Sequence, residues 1–229
     1  MILELKTSGQ VKKAPTKIIF SLSFKEKSKD YSEVINKGAA QIVEFKEILK
    51  KLKINEDNFK TLSYNISTIN NRVEENKGFI DKEKTVKYVF SHYEITQTAK
   101  LNIDFDMEKM LNLMSLIAKM KKYPTYSFNF SIKDEERAEL ENKALEIAIK
   151  LANEKAEAIR KATNKKEYNM TDLSIVEHFQ SYDNYRYSKT SMRSMECALN
   201  SVDIGELSQT ITPEDISVEI NIITKFNIG

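Results

Sequence analysis

Between residues 18 and 132 the spacing of apolar residues changes from every second position to every third or fourth and back again, twice over. That succession constrains the fold more than any other feature. A period of two marks a half-buried strand, and a period near 3.6 marks an amphipathic helix. Ile18, Phe20, Leu22 and Phe24 alternate with Ser21, Ser23 and Lys25, with Ile19 as the exception. Over 30–52 the stripe becomes Tyr31, Val34, Ile35, Ile42, Phe45, Leu49 and Leu52, and Gly38 falls on it, where it would allow close packing. Leu62, Tyr64 and Ile66 return to period two. The stretch NNRVEENKGFIDKEK (70–84) is polar and charged and reads as a hairpin loop. Over 85–105, Val86, Tyr88 and Phe90 share one parity, whereas Tyr93, Ile95, Ala99, Leu101, Ile103 and Phe105 share the other. One extra residue near Ser91–His92 would swap the faces, so a β-bulge is expected there. A second helix is expected over 107–121 on Met107, Met110, Met114 and Ile117, ended by Pro124. Tyr126, Phe128, Phe130 and Ile132 then give a strand.

Outside this repeat, Ile2, Leu3 and Leu5 suggest that the first strand begins early, with Gly9 at a break or bulge. Pro15, lacking an N–H, belongs at a strand start or edge. Residues 134–163 form the longest helix, with Asp134 as its expected N-cap and Glu135 and Glu136 where the dipole favours acids. Its stripe is Leu140, Ala144, Ile147, Ala148, Leu151 and Ile159, and the alanines at 144, 148, 152 and 156 would let it lie close to a sheet. A short strand over 173–179, an irregular polar stretch over 180–212 and a final strand follow. In that strand Ile216, Val218, Ile220, Ile222, Phe226 and Ile228 share one parity. The order β-α-β-β-α-β-α-β-β implies an α+β fold of largely antiparallel sheets with helices packed on their faces. A single domain over 1–229 is expected, with an irregular Tyr-rich loop at 180–212.

The charge balance excludes one class of partner. Lys and Arg number 36 against 34 Asp and Glu, and a net charge of +2 gives no large field for nucleic acid. Cys197 is the single cysteine, so no intrachain disulfide forms. The start MILELKTSG has no leader pattern, and no apolar run reaches the roughly 20 residues that span a bilayer. The expectation is a protein without a transmembrane segment, cytoplasmic as given, or periplasmic or exported if a signal peptide has been removed.

No catalytic constellation emerges. His92 and His178 lack HxH or HExxH partners, so no metal is implied. Cys197 would need a base brought to it by the fold. The five glycines are scattered, which argues against a phosphate-cradling loop, and no cofactor is implied. The unusual segment is FQSYDNYRYSKTSMRSMEC (179–197). Its Tyr182, Tyr185, Arg186, Tyr187, Lys189 and Arg193 combine residue types favoured at contact surfaces. They fit a subunit contact, or a clamp in which arginine meets a small anionic ligand. They fit equally a loop that packs its tyrosines on its own domain.

Taken together, these segments resemble the SIMPL-domain family, long filed as a domain of unknown function. The matching residues are Gly9, Val11 and Pro15 at the start; Leu52, Ile54, Asp57, Thr61 and Tyr64 after the first helix; Phe130, Ile132 and Asp134; the series Ala144, Ala148, Ala152, Lys155, Ala156 and Ile159; and Pro213, Ile216, Val218 and Ile220. The chain departs from the family where Asn164 and Lys165 stand in place of a glycine segment. It also lacks the export signal usual in bacterial relatives. The resemblance implies an α+β fold, ring assembly as in some bacterial members, and no shared catalytic residues; a mammalian namesake interacts with a signalling kinase. The leading expectation is a non-enzymatic, self-associating interaction module, a homo-oligomer that forms rings in some relatives. The alternative is a small-ligand binding or sequestering protein, phage-encoded and counteracting host defence signalling, that uses the Tyr/Arg loop. A hydrolase would require His92, His178 or Cys197 to converge.

Overall fold

A computed structural model gives the fold and describes residues 1–76, 84–176 and 211–229. The order is α+β, with seven strands and three helices among the described residues. The first apolar stretch is two strands, β1 (Ile2–Lys13) and β2 (Lys17–Ser28), which enter different sheets. Their break lies around Pro15, six residues beyond the expected break at Gly9. Pro15 has no N–H for a ladder, and the amide of Thr16 donates to the carbonyl of Ser131 at 3.0 Å. The chain forms two compact units.

The unit built mainly from residues 18–128 contains β2, α1 (Tyr31–Lys51), β3 (Phe59–Asn76), β4 (Lys84–Asp104), α2 (Met107–Ala118) and β5 (Thr125–Ser131). Its sheet has the order β3-β4-β2-β5, the split β-α-β arrangement of ferredoxin-like folds. The twice-repeated change of period is this architecture. Ile18, Phe20, Leu22 and Phe24 are buried as their parity requires, and Phe45, Leu49, Ile95 and Met110 complete the core. Gly38 is buried on α1, and a Cβ there would meet the Ile95 side chain at 3.0 Å. Asp30 caps α1 by accepting from the Glu33 amide at 2.7 Å, and Asp106 caps α2 through the Lys109 amide at 2.9 Å. The second helix ends at Ala118, well before Pro124, with Lys119 as its C-cap. Leu62 and Tyr64, expected on a buried face, are exposed.

The other unit comprises Met1–Lys17, the segment from Asn129 to the described end at Val176, and Thr212–Gly229. Here β1, β7 (Ile216–Ile228) and β6 (Tyr168–Val176) form an antiparallel sheet in the order β1-β7-β6, covered by α3 (Asp134–Ala162). β6 therefore starts earlier than the expected 173, and 177–179 lie outside the described residues. Val218, Ile220, Ile222, Phe226 and Ile228 are buried on one parity of β7.

Gly9 sits inside β1 opposite Ile220, and the β1–β7 register runs without a shift. No bulge exists there. The glycine is needed for a different reason: a Cβ on it would stand 1.9 Å from the carbonyl oxygen of Ala144 and 2.7 Å from the amide nitrogen of Ala148. The helix backbone rests directly on the strand. Ala144, Ala148, Ala152 and Ala156 are fully buried, and the Thr7 hydroxyl donates to the Ala148 carbonyl at 3.0 Å. Leu140 of the expected stripe is also buried, whereas Ile147 and Leu151 turn outward at 39% and 38% exposure. Asp134 is the first helical residue and not the cap; the N-cap is Lys133, without a side-chain capping bond. Asp134 instead accepts from Lys17 at 3.1 Å.

Both α1 and α3 end in Schellman motifs. At α3 the Lys165 amide donates to Arg160 and the Asn164 amide to Lys161, with Asn164 at φ 54°. Asparagine tolerates this left-handed geometry better than any residue but glycine. The departure from the family's glycine at Asn164 thus preserves the turn. At α1 the same position is Lys53, also at φ 54°.

Candidate functional site

The strands β3 and β4 continue well past the core as a two-stranded arm. The segment expected as a loop over 70–84 is strand up to Asn76, and β4 resumes at Lys84. Cross-strand pairing explains the difference. Asn70 faces Phe90, Asn71 faces Val89, Arg72 faces Tyr88, Val73 faces Lys87 and Glu74 faces Val86. A polar β3 segment is held in strand form by the apolar β4 segment beside it.

Directly opposed residues share a face of a ladder. One face of the arm therefore carries Val86, Tyr88 and Phe90 along β4, next to Glu74, Arg72 and Asn70 along β3. Tyr88 is 73% exposed and Phe90 45%. The other face carries Val89 and Val73, both exposed. Arg72 and Glu74 form an ion pair at 3.2 Å on one face of β3. In the sheet order β3 is terminal, so its outer edge has no partner strand among the described residues.

The expected bulge is present. Ile69 pairs with His92 and Asn70 with Phe90, leaving Ser91 as the extra residue. It brings Phe90 and Tyr93 to one face, where their rings meet at 5.0 Å. Tyr93 in turn meets Tyr31 of α1 edge-on at 5.3 Å. Three rings thus tie the arm's root to α1. His92 has its Nδ1 at 2.9 Å from the Ser91 hydroxyl, while its Nε2 is buried without a partner among the described residues. It sits at the bulge beside Ser91.

Tyr182, Tyr185, Arg186, Tyr187, Lys189 and Arg193 lie outside the described residues, as do His178 and Cys197. Their convergence with His92 is accordingly not described. Among the described residues no group of three or more His, Cys, Asp or Glu side chains is placed to hold a metal. No described helix is long and apolar enough to cross a membrane. Sequence reasoning missed Val73 and the exposure of Tyr88 and Phe90. The available signal was their polarity pattern: apolar residues on the arm continue past the point where α1 can cover them.

The chain matches the SIMPL family model, described as a protein of unknown function (DUF541), over residues 3–226. The match runs through both compact units. No curated protein sequence matches the chain. With nearly its whole length matched, the chain belongs to the SIMPL family.

Proposed function

We propose that the chain is a non-enzymatic, self-associating interaction module, with the outer edge of β3 as its contact surface and a second copy of the chain as the occupant. The observation that carries this is the order Arg72, Val73, Glu74 on a terminal strand. Antiparallel pairing of β3 with its own copy, centred on Val73, sets Val73 against Val73. It also sets each Arg72 against a Glu74, twice, by symmetry. A two-fold contact must be self-complementary, and this pairing would be so in charge. Backbone pairing at the edge would supply affinity, as in strand addition generally.

An isolated two-stranded ribbon is marginal in water, so an arm of this length gains from further pairing. A two-fold contact alone closes a dimer. A ring requires a second, different contact, for which the exposed strip of Val86, Tyr88 and Phe90 offers apolar area. Size-exclusion chromatography with light scattering tests the reading. A mass of two or more chains at micromolar concentration is expected, and a strict monomer there overturns it.

A further inference from the structure

The second site lies away from the arm, on the inward face of β2. The core parity of that strand continues past Phe24 into polar residues: Glu26 is 4% exposed and Ser28 8%. Glu26 is the sole ionisable side chain among the buried described residues. Its carboxylate pairs with the Lys122 ammonium, whose own side chain is 59% exposed. Beside it Gln41 of α1, 5% exposed, donates through Nε2 to the Lys122 carbonyl at 2.9 Å. The Oε1 of Gln41 is buried and has no hydrogen-bond partner among the described residues. Glu26 and Gln41 line a cleft of about 430 Å³, together with Lys25, Lys27, Lys121, Lys122 and Tyr123. The last five are exposed, and Lys27 is also paired with Glu94 at 3.2 Å.

The buried groups and the exposed ones ask for opposite charges. A carboxylate and an unpartnered amide oxygen are both acceptors, so they call for a donor, and a cationic one suits Glu26 best. The exposed lysines call for an anion. A plain anion driven inward meets Glu26, and a plain cation must pass the lysines. A small zwitterion satisfies both. We propose that this cleft binds a free aminocarboxylate. Its ammonium takes the place of Lys122 at Glu26 and gives Gln41 Oε1 the N–H it lacks. Its carboxylate rests on Lys121. Tyr123 flanks the space left for the side chain.

Isothermal titration of the full chain with leucine, isopentylamine and 4-methylpentanoate tests this, because the last two each keep one half of the zwitterion. Leucine binding about tenfold or more tighter than either is expected, a difference well resolved by calorimetry. Lys121→Ala should weaken leucine severalfold and leave the amine unchanged. Lys122→Met should tighten both leucine and the amine by freeing Glu26, a gain that a folding defect does not produce. No leucine binding at millimolar concentration overturns the proposal. So does acid binding as tight as leucine, the behaviour of a lysine patch for anions alone. Amine binding as tight as leucine overturns it equally. Self-association through β3 is untouched by any of these outcomes.

Discussion

The Cα of Gly9 lies so close beneath α3 that a Cβ added to it would stand 1.9 Å from the carbonyl oxygen of Ala144. The obstacle is backbone on both sides and cannot swing away. Gly9→Ala should therefore lift the helix off the sheet and cost about 3 kcal/mol or more, the upper range for overpacking. Gly38→Ala is the control. There the added carbon meets only the Ile95 side chain at 3.0 Å, and the gain in helix propensity is about 1 kcal/mol. Its net change should stay within about 1 kcal/mol. Urea unfolding of both variants measures the contrast.

Lys53 occupies the left-handed position that ends α1, at φ 54°. A side chain costs about 1–2 kcal/mol in that conformation, partly offset by the greater freedom glycine has when unfolded. Lys53→Gly should stabilise the protein by about 0.5–1 kcal/mol. The Ile54 amide that donates to Leu49 at 2.9 Å is kept. A rise in the thermal midpoint measures the effect, and no rise would mean that Lys53 is not strained.

The charge pattern of the β3 edge predicts a reciprocal effect. Arg72→Glu alone places like charges across the proposed two-fold contact and should weaken self-association. Glu74→Arg alone should do the same. The exchange Arg72→Glu with Glu74→Arg restores every opposite-charge pair and should recover association. Sedimentation equilibrium at two salt concentrations would show the singles as weaker at low salt, since screening removes the repulsion. A double variant as defective as the singles would mean that the contact lies elsewhere.

Near the end of α3 the Arg160 guanidinium donates to both oxygens of Glu157, at 2.7 and 2.8 Å. This holds the Glu157 carboxyl at about 2, below its ordinary 4.5, with further help from the Lys161 ammonium. A depressed folded-state value stabilises the fold above the unfolded value. That contribution is lost as pH falls from about 4.5 to about 2. Glu157→Gln should therefore be less stable than the parent at pH 6. The gap should close as the pH approaches 2. Urea midpoints across that range check the sign.

Much of the architecture was legible because it depends on parity. The repeated change of period gave the split β-α-β order, and the parity swap gave the bulge at Ser91. The last strand's alternation placed Val218, Ile220 and Ile222 inward. What failed depended on distant neighbours. The stripe of α3 was right at Leu140 and at the alanines expected to lie close to a sheet, and wrong only in including Ile147 and Leu151. Where β1 passes beneath the helix at Gly9 the backbones are in contact and only alanine faces the strand, so Ile147 and Leu151 are left outward. Val73 sits in a run whose composition favours a turn, and only its partner strand makes it a strand. Glu26 was in phase with the core, yet its charge concealed that position. The Tyr182–Tyr187 cluster falls outside the described residues.

The sheet order β1-β7-β6 has a consequence for synthesis. Its middle strand is the last to be made, so β1 and β6 wait without a common partner until residues 216–228 have emerged. The amide of Ile228 finally donates to the carbonyl of Met1, joining residues 227 positions apart in sequence on neighbouring strands. Pairings this distant in sequence are slow to form. The unit built from residues 18–128 needs none of that late segment for its own sheet. On the ribosome it is the part that can fold first, while the earliest-made strand is held open for the latest.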